Sequence, residues 1–319
     1  MSKEDGRLPA GLDEEVRLFV EEDVSGWAVI QREQGGRDEN KFWLAENADA
    51  SRAEQWLWKP RRMTADGTVP QINDAAEVIA FRLAGHLGLP AAECRFAVRG
   101  EQVGVISHNV TPSGFDLHDA GTFLSEVSGY ARHRPVVDAD GRERGRLRMD
   151  EGYTLEAARQ VLEGVGGPPG WEHHSGFTLF AGYLVLDALI ANTDRHPRNW
   201  ALLVDRRDGR RAIAPTFDHG SALGSGLTDC NRRRRNVEDF CGRGKANPFT
   251  PREELAQLAH RAVLQADAAV WLDRVGALAP WTIRETLEAP PSRVSEDAAR
   301  FMEQVLTVNQ RRLCDVDGA

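Results

Sequence analysis

The chain has 319 residues, of which 41% are hydrophobic and 28% charged; that is enough to bury a substantial core, suits two lobes better than one small domain, and fits neither a disordered nor a fibrous class. A formal net charge of −9 and a pI near 5.6 argue against a protein that coats nucleic acid, so direct DNA binding is not expected. The charged opening MSKEDGRLPAGLDEE holds no apolar run, and no later run reaches the ~18 apolar residues of a membrane helix, so neither an export signal nor a membrane span is expected and the location is read as cytoplasmic.

Short apolar or aromatic runs at 16–20, 27–31, 42–45 and 56–59, separated by Gly, Asp and Asn clusters, predict an antiparallel sheet with meander connections. Gly35 and Gly36 sit in the turn before Lys41. A glycine pair lets backbone N–H groups close on anionic oxygens, although a plain hairpin turn has the same look. In Trp56-Leu57-Trp58-Lys59-Pro60, strand alternation puts Lys59 on the face opposite Trp56 and Trp58. A lysine buried there needs an anion. Glu77 is the candidate, in a helix predicted over 73–87 with Asn73 or Asp74 as N-cap and an apolar stripe through Val78, Phe81, Leu83, Ala84 and Leu87. A lysine on a strand paired with a helix glutamate is the grip that phosphoryl-transfer enzymes place on ATP; read alone, the two residues are also compatible with a snorkelling strand end and an ordinary first-turn acid.

Strands over 94–98 and 102–107, turning at Arg99-Gly100-Glu101, complete the sheet. His108 and Asn109 follow at the crossing between lobes, where backbone groups would take an adenine ring; both are candidate nucleotide contacts, with the His108 side chain itself read as structural. Helices are predicted over 116–127 and 154–162, separated by a basic insert at 132–152, and a turn follows at 164–170. The segment 176–191 is apolar all round and predicts a helix buried at the centre of its lobe.

From Asp187 the chain reads DALIANTDRHPRNWALLVDRRDGRRAIAPTFDHGSALG: a helix end, a polar turn over 192–199, a strand, a hairpin at Asp208-Gly209, a second strand, then Asp218-His219-Gly220. Asp194 and Asn199 lie five residues apart on the turn, and the hairpin returns Asp218 to the same place. One carboxylate to orient an attacking hydroxyl, with a second carboxylate and an amide to hold Mg²⁺ on nucleotide phosphates, is what phosphoryl transfer requires. Asp194 is therefore the candidate catalytic group, Asn199 and Asp218 the candidate metal ligands, and ATP and Mg²⁺ the expected cofactors. The order matches a kinase catalytic and metal-binding loop, except that His196 follows the Asp-Arg pair instead of preceding it. Taken singly, these residues are also ordinary turn formers. Asp187 is read either as an anchor for the turn or as the partner of a nearby Arg, Arg195 and His196 as positioning groups, and His219 is assigned no chemistry.

The segment 229–245 carries six cations against three acids. It follows the metal aspartate, where a substrate loop would lie, and it suits either an acidic acceptor or simple exposure to water. Helices over 252–264, opened by Pro251, and over 267–278 and 295–313 close the chain, with Trp271 and Trp281 expected in the core. Cys94, Cys230, Cys241 and Cys314 show no CxxC spacing, which points to reduced, unpaired thiols and away from a zinc site.

The run Asn192-Thr193-Asp194-Arg195-His196-Pro197-Arg198-Asn199-Trp200, followed by Ala214-Pro215-Thr216-Phe217-Asp218-His219-Gly220-Ser221-Ala222-Leu223-Gly224, resembles the HipA-like serine/threonine kinases of bacteria. A more distant likeness is to phosphatidylinositol kinases, which also carry an Asp-Arg-His-x-x-Asn run. The HipA-like resemblance spans residues 27 to about 225. It implies a glycine-containing phosphate loop ending in Lys41, a strand lysine at Lys59 fixed by Glu77, and a helix closing at Leu87-Gly88-Leu89-Pro90. In some members that loop holds an autophosphorylated serine; none lies between Ala28 and Lys41, so this switch is not expected. HipA toxin proper also carries an N-terminal subdomain that touches a DNA-binding antitoxin. Only about 25 residues precede the first family-like strand here, so an antitoxin partner is not expected.

The expectation is an α+β, two-lobed, protein-kinase-like fold, with a tail over 1–11, a β-rich N-lobe over 12–110 and a helical C-lobe over 111–319. The expected activity moves the γ-phosphoryl of ATP to a hydroxyl, on Ser or Thr of a protein or peptide. A small-molecule or lipid-headgroup kinase is the first alternative, and a catalytically silent nucleotide-binding module the second.

Overall fold

The computed structural model describes residues 21–32, 41–132 and 150–315. The strand expected at 16–20, the pair Gly35 and Gly36 and most of the basic insert lie outside those residues. The first sheet contains β1 (Glu22–Asp23), β2 (Ala28–Arg32), β3 (Phe42–Ala45) and β4 (Trp56–Pro60). After the crossover helix α1 (Asn73–His86) come β5 (Cys94–Arg99) and β6 (Gln102–His108), and the strand order is β1-β5-β6-β4-β3-β2. The meander expectation holds for β2, β3 and β4, and β5 and β6 complete the same sheet as expected. The crossover through α1 brings the β5–β6 hairpin to the open edge of β4, where β6 pairs antiparallel, while β1 runs parallel to β5.

Alternation along β4 separates two environments. Trp58 packs with Val24, Leu44, Ala97 and Ile106 in a small core on one face of the sheet. On the other face Phe96 and Val105 join α1 and the helical lobe in the main core, and Lys59, in register with Val105, points there too. Gly104 lies opposite Pro60, where a Cβ would stand 2.3 Å from the Lys59 carbonyl oxygen; only glycine allows this strand approach.

α1 begins differently from the expectation. Its N-cap position is Ile72, which offers no side-chain cap. Asn73 instead accepts the Arg62 N–H, and the Asp74 carboxylate is turned into a buried ion cluster. Alanines at 75, 76, 80 and 84, all fully buried, let the helix sit close between the sheet and the helical lobe.

The second lobe begins with a strand where a helix over 116–127 was expected. Residues 115–119 form a strand, β7 (Phe115–Asp119), paired with β8 (Ala201–Asp205). β8 in turn pairs with β9 (Arg211–Ile213) in a three-stranded sheet. Phe115 and Leu117 alternate onto an apolar cluster with Ala201, Leu203 and Ala212, so the period is two. Only the short α2 (Ala120–Leu124) is helical, and it starts where the Asp119 carboxylate accepts the Thr122 N–H.

α3 (Leu155–Val161) and α4 (Gly176–Leu189) follow the expected positions, and α4 is buried on nearly every side. The basic segment is not a loop: it folds as α5 (Asp229–Arg234) and α6 (Val237–Gly242), capped by Thr228 and Asn236. Pro251 does not open the next helix, because α7 (Leu255–Ala266) has Glu254 at its N-cap. Then come α8 (Val270–Gly276), α9 (Pro280–Thr286) and α10 (Glu296–Cys314), the last capped by Ser295. Trp271 is buried as expected, with its indole N–H on the Thr178 carbonyl. Trp281 is not: the short α9 turns Thr282, Ile283 and Thr286 inward and leaves Trp281 64% exposed. Among the described residues no helix is long and apolar enough to cross a membrane.

Candidate active site

The polar turn is built from the end of α4. Ala191 leaves the helix at φ 52°, the Ala191 N–H donates to Ala188 and the Asn192 N–H to Asp187 at 2.8 Å. This is the paired hydrogen-bond pattern that closes helices on a left-handed residue. Glycine would adopt that φ without strain, whereas alanine costs about 1 kcal/mol or more there. The turn then holds itself: Asp194 O accepts both the His196 N–H (2.9 Å) and the Asn199 amide (2.7 Å). Asn199 is buried, and its amide nitrogen is engaged by this bond.

Beneath the turn lies a sealed ionic network. Arg195 donates Nε and Nη2 to the two Asp187 oxygens, each at 2.7 Å, and Nη1 to the Asn199 carbonyl at 2.7 Å. Asn192 completes Asp187 at 2.7 Å. Arg195 Nη2 also reaches His219 Nε2 at 3.2 Å, and Thr216 Oγ1 lies 3.0 Å from the same nitrogen. A guanidinium can only donate, so His219 Nε2 is the unprotonated acceptor and the ring is neutral. Burial, with the Arg195 charge behind it, holds the His219 pKa well below the ordinary value. Asp187 is thus the anchor its position suggested, and His219, assigned no chemistry from sequence, is a hub of the site. No local signal marks it, since two of its partners, Arg195 and Glu77, lie 24 and 142 residues away in sequence.

The second network reaches the surface at Asp218. Lys59 Nζ lies 2.6 Å from Glu77 Oε1 and 2.9 Å from Asp218 Oδ1. Glu77 Oε2 accepts the His219 backbone N–H at 2.9 Å, so α1 is bonded to both β4 and the Asp-His-Gly loop. Asp218 has φ 63°, a strained position for a residue with a Cβ and one found at functional sites. Its side chain keeps 36% exposure, against 9% for Lys59 and 2% for Glu77, so it is the member of the trio open to a ligand.

Charge states follow from these neighbours. Lys59 foremost holds the Asp218 carboxyl far below the usual range against the effect of burial, with Lys41 and Arg62 contributing. Burial disfavours the Lys59 charge, but Asp218 and Glu77 outweigh it and keep the ammonium protonated. Asp194 moves the other way: burial raises its pKa and Asp218 adds to the rise, while His196 and Arg198 oppose it.

Of the residues singled out from sequence, Lys59, Glu77 and Asp218 are in direct contact, Asn199 is bonded to Asp194, and Asp194 and Lys41 are close enough to Asp218 to couple with it. Gly35 and Gly36 lie outside the described residues. His108 packs against Trp56 at 4.6 Å between ring centroids and donates its N–H to Glu93. Asn109 donates its N–H to Gln55 and accepts the Thr111 N–H on its side chain. Both backbone donors are therefore already engaged within the protein.

The HipA-like C-terminal domain model matches residues 34–277, most of the chain. No curated protein matches the sequence significantly. Among solved structures, the proinflammatory kinase CtkA of Helicobacter pylori is similar with a TM-score of 0.60 and 17% identity, over 93% of this chain and 96% of that one. HipA of Shewanella oneidensis MR-1, solved with HipB and its operator DNA, is similar with a TM-score of 0.50 and 14% identity, over 86% of this chain and 63% of that one. At such identities the likeness concerns the fold: α+β and two-lobed in the manner of protein kinases, with a β-rich N-lobe and a helical C-lobe. This chain belongs to the HipA-like C-terminal domain family.

Proposed function

We propose that the protein is an ATP-dependent kinase that transfers the γ-phosphoryl group to a hydroxyl, on Ser or Thr of a protein or peptide. The observation that carries this reading is the contact of Lys59 with Glu77 and Asp218 in one cluster, joined through His219 to Arg195 of the turn that bears Asp194. In this reading Lys59 exchanges Asp218 for the nucleotide phosphates, while Glu77 keeps the ammonium in place. Asp218 and the Asn199 side-chain oxygen hold Mg²⁺. Among the described residues no group of three or more His, Cys, Asp or Glu could cage a metal; one carboxylate and one amide, completed by phosphate oxygens and water, is the shell that Mg²⁺ prefers. Mg²⁺, when bound, neutralises charge on the β- and γ-phosphoryl oxygens.

Asp194 accepts a hydrogen bond from the acceptor hydroxyl and aims it at phosphorus, since orientation matters more than early proton removal in a loose transition state. An acidic acceptor is favoured by the α5–α6 face, where Arg234, Arg235 and Arg243 line a cleft of about 240 Å³ that holds one acid, Asp239.

The test is phosphoryl transfer from γ-labelled ATP with Mg²⁺ into separate peptide, lipid and metabolite pools. Label should enter peptide Ser or Thr and fall by about 10²–10⁴-fold in Asp194→Ala, with nucleotide binding retained. Label confined to the lipid or metabolite pool would move the reading to a small-molecule kinase. Tight Mg–ATP binding, with equally slow ATP consumption by wild type and Asp194→Ala, would make the protein a nucleotide-binding module.

A further inference from the structure

β4 and α1 are bridged twice. The first bridge is Lys59 with Glu77. The second runs beside it: Arg61, two residues beyond Lys59, donates Nε to both Asp74 oxygens at 3.0 Å and holds Nη2 2.8 Å from Oδ2. Asp74 precedes Glu77 by three residues, about one helical turn, and is fully buried. A third member arrives from the far end of the chain. Arg293, between α9 and α10, has 1% side-chain exposure and places Nη1 3.0 Å from Asp74 Oδ2. Its Nη2 donates to the Ala97 carbonyl of β5 at 2.8 Å, and its Nε to Glu21. Arg61 answers by donating to the Ser292 and Arg293 carbonyls at 3.1 and 2.9 Å. Arg293 lies beyond the residues that the family model matches.

A buried ion triad is a poor source of net stability, because desolvation offsets most of the attraction; its distinctive product is fixed geometry. In protein kinases the lysine–glutamate pair works only when the helix carrying the glutamate is in place. Building on the kinase reading above, we propose that Arg293 is a positioning residue for nucleotide binding: through Asp74 it holds the first turn of α1 against the exit of β4. Glu77 then stays within reach of Lys59 while Lys59 trades Asp218 for phosphates. The helix is stapled from the C-terminal segment, so the pair assembles without a modification to pull α1 inward.

The test titrates a fluorescent ATP analogue with Mg²⁺ into wild type, Arg293→Gln, Arg61→Gln, Glu77→Gln and the Arg293→Gln/Glu77→Gln double variant, each also melted without nucleotide. Arg293→Gln and Arg61→Gln should each weaken binding by about tenfold to a hundredfold, with partial recovery in Arg293→Lys. The double variant should bind no worse than the weaker single one, because both substitutions act on one element. Arg61→Gln tests the same staple from the β4 side should Arg293→Gln fail to fold. Wild-type affinity in a folded Arg293→Gln, or a double-variant loss equal to the product of the single losses, would overturn the proposal. If wild type itself binds no Mg–nucleotide, the kinase reading is what fails. Ligand-free amide exchange over 73–80 then decides the staple: faster exchange in Arg293→Gln supports it, and unchanged exchange sinks it.

Discussion

Two charged networks meet at His219, and they are built for opposite purposes. Under the polar turn, Arg195 spends its planar fork on Asp187, the Asn199 carbonyl and the His219 ring, all out of solvent. In the second, Lys59 presents a compact ammonium to Glu77 and to the partly exposed Asp218. A guanidinium with every direction occupied is locked in place, whereas an ammonium on a flexible stem can exchange one carboxylate for another anion at little geometric cost. The sealed network therefore preserves the shape of the turn, and the open one can be remade around a ligand. His219 joins them, with its ring in the first and its N–H on Glu77 in the second.

The contrast breaks most directly at Asp187. In Asp187→Ala the Arg195 charge stays buried without its carboxylate, and stability should fall by about 3–5 kcal/mol, read from urea unfolding. Asp218→Asn, with its side chain partly in water and Glu77 still beside Lys59, should cost clearly less. Equal losses at the two positions would erase the distinction.

Ligand linkage sharpens the contrast at the next level of effect. Mg–ATP at about a hundred times its Kd should add about 2.7 kcal/mol to wild-type stability, measured as a shift in unfolding midpoint. That gain should largely vanish in Asp218→Asn, since the substitution removes the open carboxylate. An undiminished shift would mean that the nucleotide does not use Asp218.

The smallest effect is a pH slope. Burial and the Arg195 charge keep His219 neutral in the folded state, while the unfolded chain takes up a proton below about pH 6.5. The folded pKa is the lower one, so this contribution is complete above that pH and is lost as pH falls, by at most about 1.4 kcal/mol per unit. Wild type should therefore lose more stability between pH 7.5 and 5.5 than His219→Gln does. Parallel slopes would place the titration elsewhere.

Much of the candidate site was legible because its geometry is local. The end of α4 at Ala191, the reversal at Gly209 with φ 73° and the strand parity that sends Lys59 away from Trp58 each depend on a few consecutive residues. The pairing of Lys59 with Glu77 is one of two readings of the local sequence, a buried ammonium with its anion or a snorkelling strand end, and it is favoured through the motif around Asp194. Other features had no such local cause. Residues 116–119 read as the start of a helix, and only their pairing with β8 makes them a strand; Trp281 reads as core until α9 turns its other face inward.

By itself, then, the amino-acid order determined the β-rich and helical halves and the polar turn with Asp194 and Asn199, because hydrophobic period and turn chemistry act over short stretches of chain. Only the tertiary structure decided that Asp74 would serve two arginines instead of capping α1, that one of them would come from 219 residues away, and that His219 would be neutral and shared. Which partner a charged side chain takes depends on which groups lose their water together, and that burial belongs to the folded whole.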